Sequence, residues 1–452
     1  MRHNLSDGVS SRVVIIGNSV ASLVGVLELR RLGRDVVWIQ DGTALDGIWR
    51  GFQYEGRTID LGMINLELDL KHPNVSENLM TYDPYAINDC ARFIHSISEF
   101  LKTITPIKEL PKIQVFEHGK FFSDHLISND FSDLVRYKEF AVKPKNPPES
   151  LHPRFKYSKE GQKTFAGLGY GDYVSIVYGD TLGKLLFLNW GRNLIGERVM
   201  FTNTLRHRAA WLPLPYPETI RTAASGKDHG YLSSKFHYPE HSTLSEMLCG
   251  LFDQLNNDES ISKFQMKSMS RSMIEAFLRS KSLTLWGSKM ETFLELIGYD
   301  VRFPVSRHRK TVNIDLYEVQ VPEENNLYSV LNNDPTVLAW YRITLIPNVT
   351  LSNGNQVLVV ESSEKFPEFD PIDFFKPFGL NIVKKIKSFE KIPAFLTLDY
   401  VDYESYKDWH MKITETFPTI ELAGGSAFGY SATLNDQIVQ GLKFVKQLNS
   451  NE

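Results

Sequence analysis

The run Gly17-Asn18-Ser19-Val20-Ala21-Ser22 holds the residue types and spacing that come nearest to a binding chemistry. It follows the apolar stretch Val13 to Ile16 and opens a segment with apolar residues at three-to-four spacing, Val20, Leu23, Val24, Leu27 and Leu29, ending at Gly33. A strand, a glycine turn and a helix in that order aim main-chain amides at a phosphate, where the helix dipole favours negative charge. The complete dinucleotide fingerprint is G-x-G-x-x-G, whose glycines make the turn, admit the pyrophosphate and let helix approach strand. Only Gly17 keeps its place. Ser19 and Ser22 stand at the other two positions, small enough to narrow the approach without forbidding it. The candidate phosphate-facing positions are Gly17, Ser19, Val20 and Ala21. The following apolar run, Asp35 to Gln40, is a second strand that would ordinarily end in an acid for a ribose. Here it ends in Gln40, which can donate and accept, with Asp41 next. Taken alone, the turn suits a dinucleotide site and a purely structural βαβ layer equally.

The rest of the chain must position that turn. At 452 residues it exceeds the size of a single core, so two or three substructures are expected. With 42% hydrophobic residues the composition is globular, and 50 Lys plus Arg against 54 Asp plus Glu gives a net charge of −4. No global basic field exists to draw in nucleic acid. Cys90 and Cys249 are far apart and lack a ligand spacing, and the histidines His207, His229, His237 and His241 form no i, i+4 pair with an acidic third ligand. Neither a disulfide framework nor a metal site is expected. No stretch reaches the length of a membrane span, and the expectation is a soluble, cytoplasmic protein.

Helical periodicity marks Ser242 to Leu255 and Ser268 to Leu296, whereas Lys71 to Arg221 is mixed, with a loop-like stretch from Lys143 to Pro153. Beyond Tyr299, VNIDLYEVQV, AWYRITLI and QVLVVES alternate apolar and polar residues, as an antiparallel sheet does. The chain closes on the strand and turn IELAGG, then a helix from about Thr433 to Leu448.

Two further segments carry a resemblance. Asp46-Gly47-Ile48-Trp49-Arg50-Gly51, followed by Gly56-Arg57-Thr58-Ile59-Asp60-Leu61-Gly62, resembles the second fingerprint of the flavoproteins of the FAD-dependent amine oxidase, protoporphyrinogen oxidase and UDP-galactopyranose mutase group. Asp46 replaces the first of that motif's paired glycines, while Gly47 and Arg50 match. Ile420 to Gly425, then Ser426 to Tyr430 and a helix with Asn435, Asp436 and Gly441, is similar to the group's closing motif. Gly287-Ser288-Lys289-Met290, followed by DVRFPVSR, resembles its G-G-M segment and the strand after it, with Tyr238-Pro239 a competing match.

The resemblance implies an α/β chain with a discontinuous, glutathione-reductase-like Rossmann domain for FAD and an inserted α+β substrate domain. The FAD domain would comprise residues 10–75, 225–310 and 405–450, and the substrate domain residues 76–224 and 311–404. The implied FAD contacts are Gly17, Ser19, Val20, Ala21, Gln40, Asp41, Gly47, Trp49, Arg50, Val305 at the adenine, and Gly424, Gly425, Ser426, Thr433 and Leu434. The implied activity is hydride transfer from a small-molecule substrate to the flavin. Arg206 and Arg208 near Trp211, with Tyr341, are the substrate-binding candidates, since a guanidinium grips carboxylate or phosphate through two parallel hydrogen bonds. A solvated basic face explains the Arg206 and Arg208 cluster equally. It is the preferred account of Arg307 to Lys310, and core packing is preferred for the aromatic run Tyr400, Tyr403, Tyr406 and Trp409 with His410. Two alternatives stand beside this reading: a mutase in which reduced flavin attacks a nucleotide-sugar without net redox, and a non-enzymatic scaffold whose FAD site has degenerated. Ser19, Ser22, Gln40 and Asp46 are the departures that carry the last.

Overall fold

The computed structural model of the chain describes residues 13–68, 93–139, 147–156, 158–230, 233–280, 282–298, 307–323, 325–334, 336, 340–363, 375–424 and 433–450. The opening βαβ unit forms as its periodicity predicts. β1 (Val13–Ile16), α1 (Val20–Arg31) and β2 (Val36–Gln40) follow in order, with β1 and β2 parallel and Ile16 opposite Ile39. Both strands are buried along their whole length, as strands covered on two faces must be. Ser19 caps α1 by accepting a hydrogen bond from the Ser22 amide, the usual work of a serine at that position.

Among the described residues, three later strands extend this sheet. α2 (Leu244–Asn257) leads to β3 (Ser262–Gln265) beside β2, β4 (Thr284–Trp286) lies on the other flank of β1, and β5 (Ile420–Leu422) lies beyond β4. The order is β3-β2-β1-β4-β5 and every pairing is parallel. The winding therefore runs outward from β1 through β2 to β3, then returns across β1. Such a reversal opens a crevice at the carboxyl end of the central strand, where open α/β sheets take their ligands. After β5, α3 (Leu434–Ser450) packs along α1.

The periodicity read from Ser268 to Leu296 is interrupted: helices Arg271–Leu278 and Met290–Ile297 stand on either side of β4. Three strand residues between helical runs are too few to display a period of two, and their neighbours β1 and β5 fix them instead. Of the two candidate G-G-M matches, Tyr238-Pro239 precedes the helix and strand that flank β2, while Gly287-Ser288 closes β4.

The alternating segments beyond Tyr299 do form an antiparallel sheet. Arg307–Gln320 pairs with Asn381–Leu398 and with Gln356–Ser362, which pairs with Arg342–Thr350. Ser329–Asn332, Gln114–Glu117 and Lys120–Ser123 extend it to seven strands, with one parallel pairing between Ser329–Asn332 and Gln114–Glu117. Short helices between residues 149 and 224 bury Tyr170, Tyr173, Phe187 and Trp190 at its side. The segment after the opening unit meets this sheet where Gly62 and Met63 reach Glu361 on the Gln356–Ser362 strand.

Candidate functional site

The register aligns Ile16, Ile39 and Trp286, so the turns that follow β1, β2 and β4 emerge side by side. Gly17 makes the first of these turns at φ 98°, and a Cβ there would lie 2.4 Å from the Ser288 nitrogen. Glycine is required by both the conformation and the close approach. Its amide donates to the Ile39 carbonyl (2.8 Å) and its carbonyl accepts from Trp38 Nε1 (3.0 Å), which holds the turn against β2.

Asn18 is wholly buried and binds the loop after β2 to this turn. Its Nδ2 donates to the carbonyls of Gly42 (3.0 Å) and Ala44 (2.9 Å), and its own carbonyl accepts from the Asp46 amide (3.2 Å). Its Oδ1 has no partner among the described residues. Gln40 is buried toward β3, donating to Asn256 Oδ1 (3.1 Å) and accepting from Gln265 Nε2 (2.8 Å). Asp41 extends past the strand, where one carboxylate oxygen accepts from the Ser288 hydroxyl at 2.5 Å.

The N-terminal ends of α1 and α3 abut. The Val20 amide donates to Gln437 Oε1 (3.1 Å), and the Gly424 amide, between β5 and α3, donates to Gln440 Oε1 (2.7 Å). Thr433 and Asp436 cap α3 reciprocally: the Asp436 amide donates to Thr433 Oγ1 (3.2 Å) and the Thr433 amide to Asp436 Oδ2 (3.2 Å). This is the arrangement that satisfies two orphan donors at once. Ala21 and Leu434 are buried in the adjoining helical turns.

Gly47, Trp49 and Arg50 lie in a short helix, Gly47–Arg50, with Gly47 and Arg50 exposed and Trp49 half-buried. Asp46 precedes it. Burial raises the Asp46 carboxyl from 3.8 to about 6, the Asp41 carboxylate adds to the rise, and Lys289 offsets part of it. The segment after this helix is tied to α2: Arg57 pairs with Glu246 (3.0 Å), and the Ser245 amide donates to Asp60 Oδ1 (2.8 Å).

The structure thus gathers Gly17, Ser19, Val20, Ala21, Asp41, Gly424, Thr433 and Leu434 around the carboxyl end of β1 and turns Gln40 toward β3. Val305, Gly425 and Ser426 fall outside the described residues, as does the side chain of Arg208. Arg206 is fully buried beside the short helices. Tyr341 is buried too, its hydroxyl donating to Glu361 Oε1 (3.0 Å). Glu361 also holds Arg342 through Nε (2.5 Å) and Nη2 (2.7 Å), and accepts from the Met63 amide (3.4 Å).

Asn18, Ser288, Gln437 and Gln440 line the crevice and were not selected by motif reasoning as contacts. A signal was present for two of them. Gln437 and Gln440 are three residues apart on the closing helix, a spacing that puts two amide side chains on one face.

No protein-family model and no curated protein matches the chain. Its architecture, by contrast, is shared over nearly the whole length with several solved structures. A CLA-producing fatty acid isomerase from P. acnes superposes with a TM-score of 0.57 at 12% identity, covering 97% of this chain and 98% of that one. A protein assigned as a protoporphyrinogen oxidase from Exiguobacterium sp. 255-15 gives 0.58 at 12% identity over 98% and 99%. Putrescine oxidase bound to putrescine gives 0.54 at 11% identity over 97% and 99%. The resemblance to the amine oxidase and protoporphyrinogen oxidase group holds at the level of the fold.

Proposed function

We propose that this chain is an FAD-dependent oxidoreductase of the amine oxidase and protoporphyrinogen oxidase type, acting on a small-molecule substrate. One observation carries the reading: segments around residues 17, 41–50, 288 and 424–437, distant in sequence, meet at the carboxyl end of β1 with two helix N-termini. The likeness of fold supports it. In this reading the cofactor domain has the glutathione-reductase-like Rossmann form and comprises residues 10–75, 225–310 and 405–450. Residues 76–224 and 311–404 form the substrate domain.

The residues present fit such a cofactor on one condition. The exposed Arg50 offers a guanidinium for pyrophosphate, the unpartnered Oδ1 of buried Asn18 offers an acceptor for a ribose or adenine donor, and two helix N-termini offer positive potential. The condition is that Gln437 leaves the Val20 amide and Ser288 releases Asp41. Bound FAD would supply the two-electron acceptor. The chain's own part is to hold it by Gly17 to Ala21, Asp41, Gly47 and Arg50, and to close the substrate side with the Tyr341, Arg342 and Glu361 cluster beside Gly62. That cluster is buried and internally paired, which suits exclusion of water from a reacting face.

A second reading, the scaffold without tight FAD binding, draws on the same internal pairings, because they occupy the Val20 amide and the Asp41 carboxylate with protein partners. Titration of purified chain with FAD separates the two. The oxidoreductase reading expects saturable binding, flavin absorbance that survives desalting, and a melting temperature that rises with FAD concentration, the unfolding free energy gaining about 2.7 kcal/mol at a hundredfold excess over Kd. Absence of binding at millimolar FAD would leave the scaffold reading in its place.

A further inference from the structure

The pairings at the carboxyl end of β1 form two closures, and both lie across the path of a dinucleotide. The first is at the helix ends. Val20 is the first helical residue of α1, so its amide has no intrahelical acceptor and is one of the donors such a turn presents to phosphate. Ser22 and Leu23 already donate to the Ser19 hydroxyl and carbonyl. The Val20 donor is taken by Gln437, a residue 417 positions away, with both partners buried. Gln437 Oε1 lies 3.6 Å from where a side-chain carbon on Gly424 would stand, so the carboxamide is wedged between α1 and the turn after β5. A neutral carbonyl dipole sits where two positive helix ends converge, a place that an anion would fill with more gain.

The second closure is a clasp. Asp41 follows β2 and Ser288 follows β4, the two strands that flank β1, and their 2.5 Å hydrogen bond spans the end of β1 itself. A dinucleotide running from the end of β2 across the Gly17 turn must part them.

We propose that Gln437 is an internal stand-in for pyrophosphate and, with the Ser288 to Asp41 clasp, sets the affinity of this chain for a pyrophosphate-bearing adenine dinucleotide by having to be displaced. The proposal rests on the FAD reading above and goes beyond it by naming the groups that hold the crevice shut. It accounts for Ser19 and Ser22 at former glycine positions: a turn that spends part of its life bonded to protein needs a serine cap more than an open approach.

The test compares the wild-type chain with Gln437→Ala, Gln437→Glu and Ser288→Ala, reading FAD and ADP binding by calorimetry and apo melting separately. Gln437→Ala frees one amide donor, so Kd for both ligands falls roughly tenfold while apo melting drops, because a buried N–H loses its partner. Gln437→Glu moves both readouts the other way: a carboxylate suits the helix ends, so apo melting rises, and it repels pyrophosphate, so Kd rises at least tenfold. Ser288→Ala lowers Kd several-fold without touching α1. A residue that merely packs would change melting and leave the ligands untouched. Equal FAD affinity in all four proteins overturns the closure and leaves the FAD reading standing. Binding by Gln437→Ala alone supports the closure, and binding by none overturns both.

Discussion

At the scale of single residues, Asp46 is the departure from the family pattern with the clearest physical consequence. A glycine in its place would carry no charge, whereas burial and the neighbouring Asp41 carboxylate lift the Asp46 carboxyl to about 6. A raised carboxyl binds its proton more tightly in the folded than in the unfolded chain, where the ordinary value is 3.8. Between those values unfolding releases a proton, so stability is fully present below pH 3.8 and declines as pH rises through about 6. Asp46→Asn removes the penalty. Urea titrations should find the variant more stable than wild type at pH 7.5, by on the order of 1–3 kcal/mol, with the difference gone at pH 4. A constant offset at both pH values would refute the assignment. Gln40 and Asp41 illustrate what the sequence could not say at this scale. Gln40 was read as the ribose contact at the end of β2, with Asp41 in its place if the strand end shifts by one; in the fold Gln40 bonds Asn256 of α2 and Gln265 of β3, both more than two hundred residues downstream.

At the scale of elements, the legible pieces were those whose packing repeats along the chain. β1, α1 and β2 were readable because both strands are buried throughout and α1 carries apolar residues at three-to-four spacing; the strands beyond Tyr299 were readable because their residue types alternate, although residues 342–346 and 357–362 are buried on both faces. β4 was not, since three residues between two helices carry no period, and the place of Tyr238-Pro239 ahead of α2 and β3 is seen only in the fold. The joint between α1 and α3 is a further case of element packing with a direct test. Gly441, picked out as part of the closing motif, lets the helices touch: a Cβ there would stand 2.7 Å from the Ala21 carbonyl and 2.8 Å from Val24 Cβ. Gly441→Ala must push α3 away from α1, at a cost of about 1–3 kcal/mol as for other overpacked contacts. The same displacement lengthens the Gln437 to Val20 bond. Hydrogen exchange should therefore show faster exchange of the Val20 amide in Gly441→Ala, and unchanged exchange there would mean that the helices are not rigidly coupled.

At the scale of the whole molecule, the segment that continues from the Gly47–Arg50 helix reaches the seven-stranded sheet at an ion pair buried within that sheet, between Arg342 and Glu361 on neighbouring strands. Arg342 and Glu361 are paired on two nitrogens with side-chain exposures of 7% and 5%, and Glu361 reaches across to the Met63 amide. Burying both ions costs several kcal/mol each, which their mutual attraction only roughly returns, so the pair is no net source of stability. Cutting it is another matter. Arg342→Met leaves Glu361 charged and alone beside Tyr341, and the chain should lose about 3–5 kcal/mol of unfolding free energy. The double variant Arg342→Met, Glu361→Leu removes both charges and should recover most of that loss. If the double variant is as unstable as the single one, the hydrogen bond from Met63 rather than the charge is what holds the sheets together. If both variants match wild type, the join rests on its other contacts, among them the bonds from Asn348 Nδ2 to the Pro239 and Ser242 carbonyls. The first outcome has a functional side. Gly62 and Met63 belong to the segment that continues from Gly47 and Arg50, so a join made by Glu361 fixes the crevice at β1 relative to the buried cluster where a substrate would lie. The double variant should then retain FAD affinity while substrate oxidation, read as bleaching of the flavin band under anaerobic conditions, is lost.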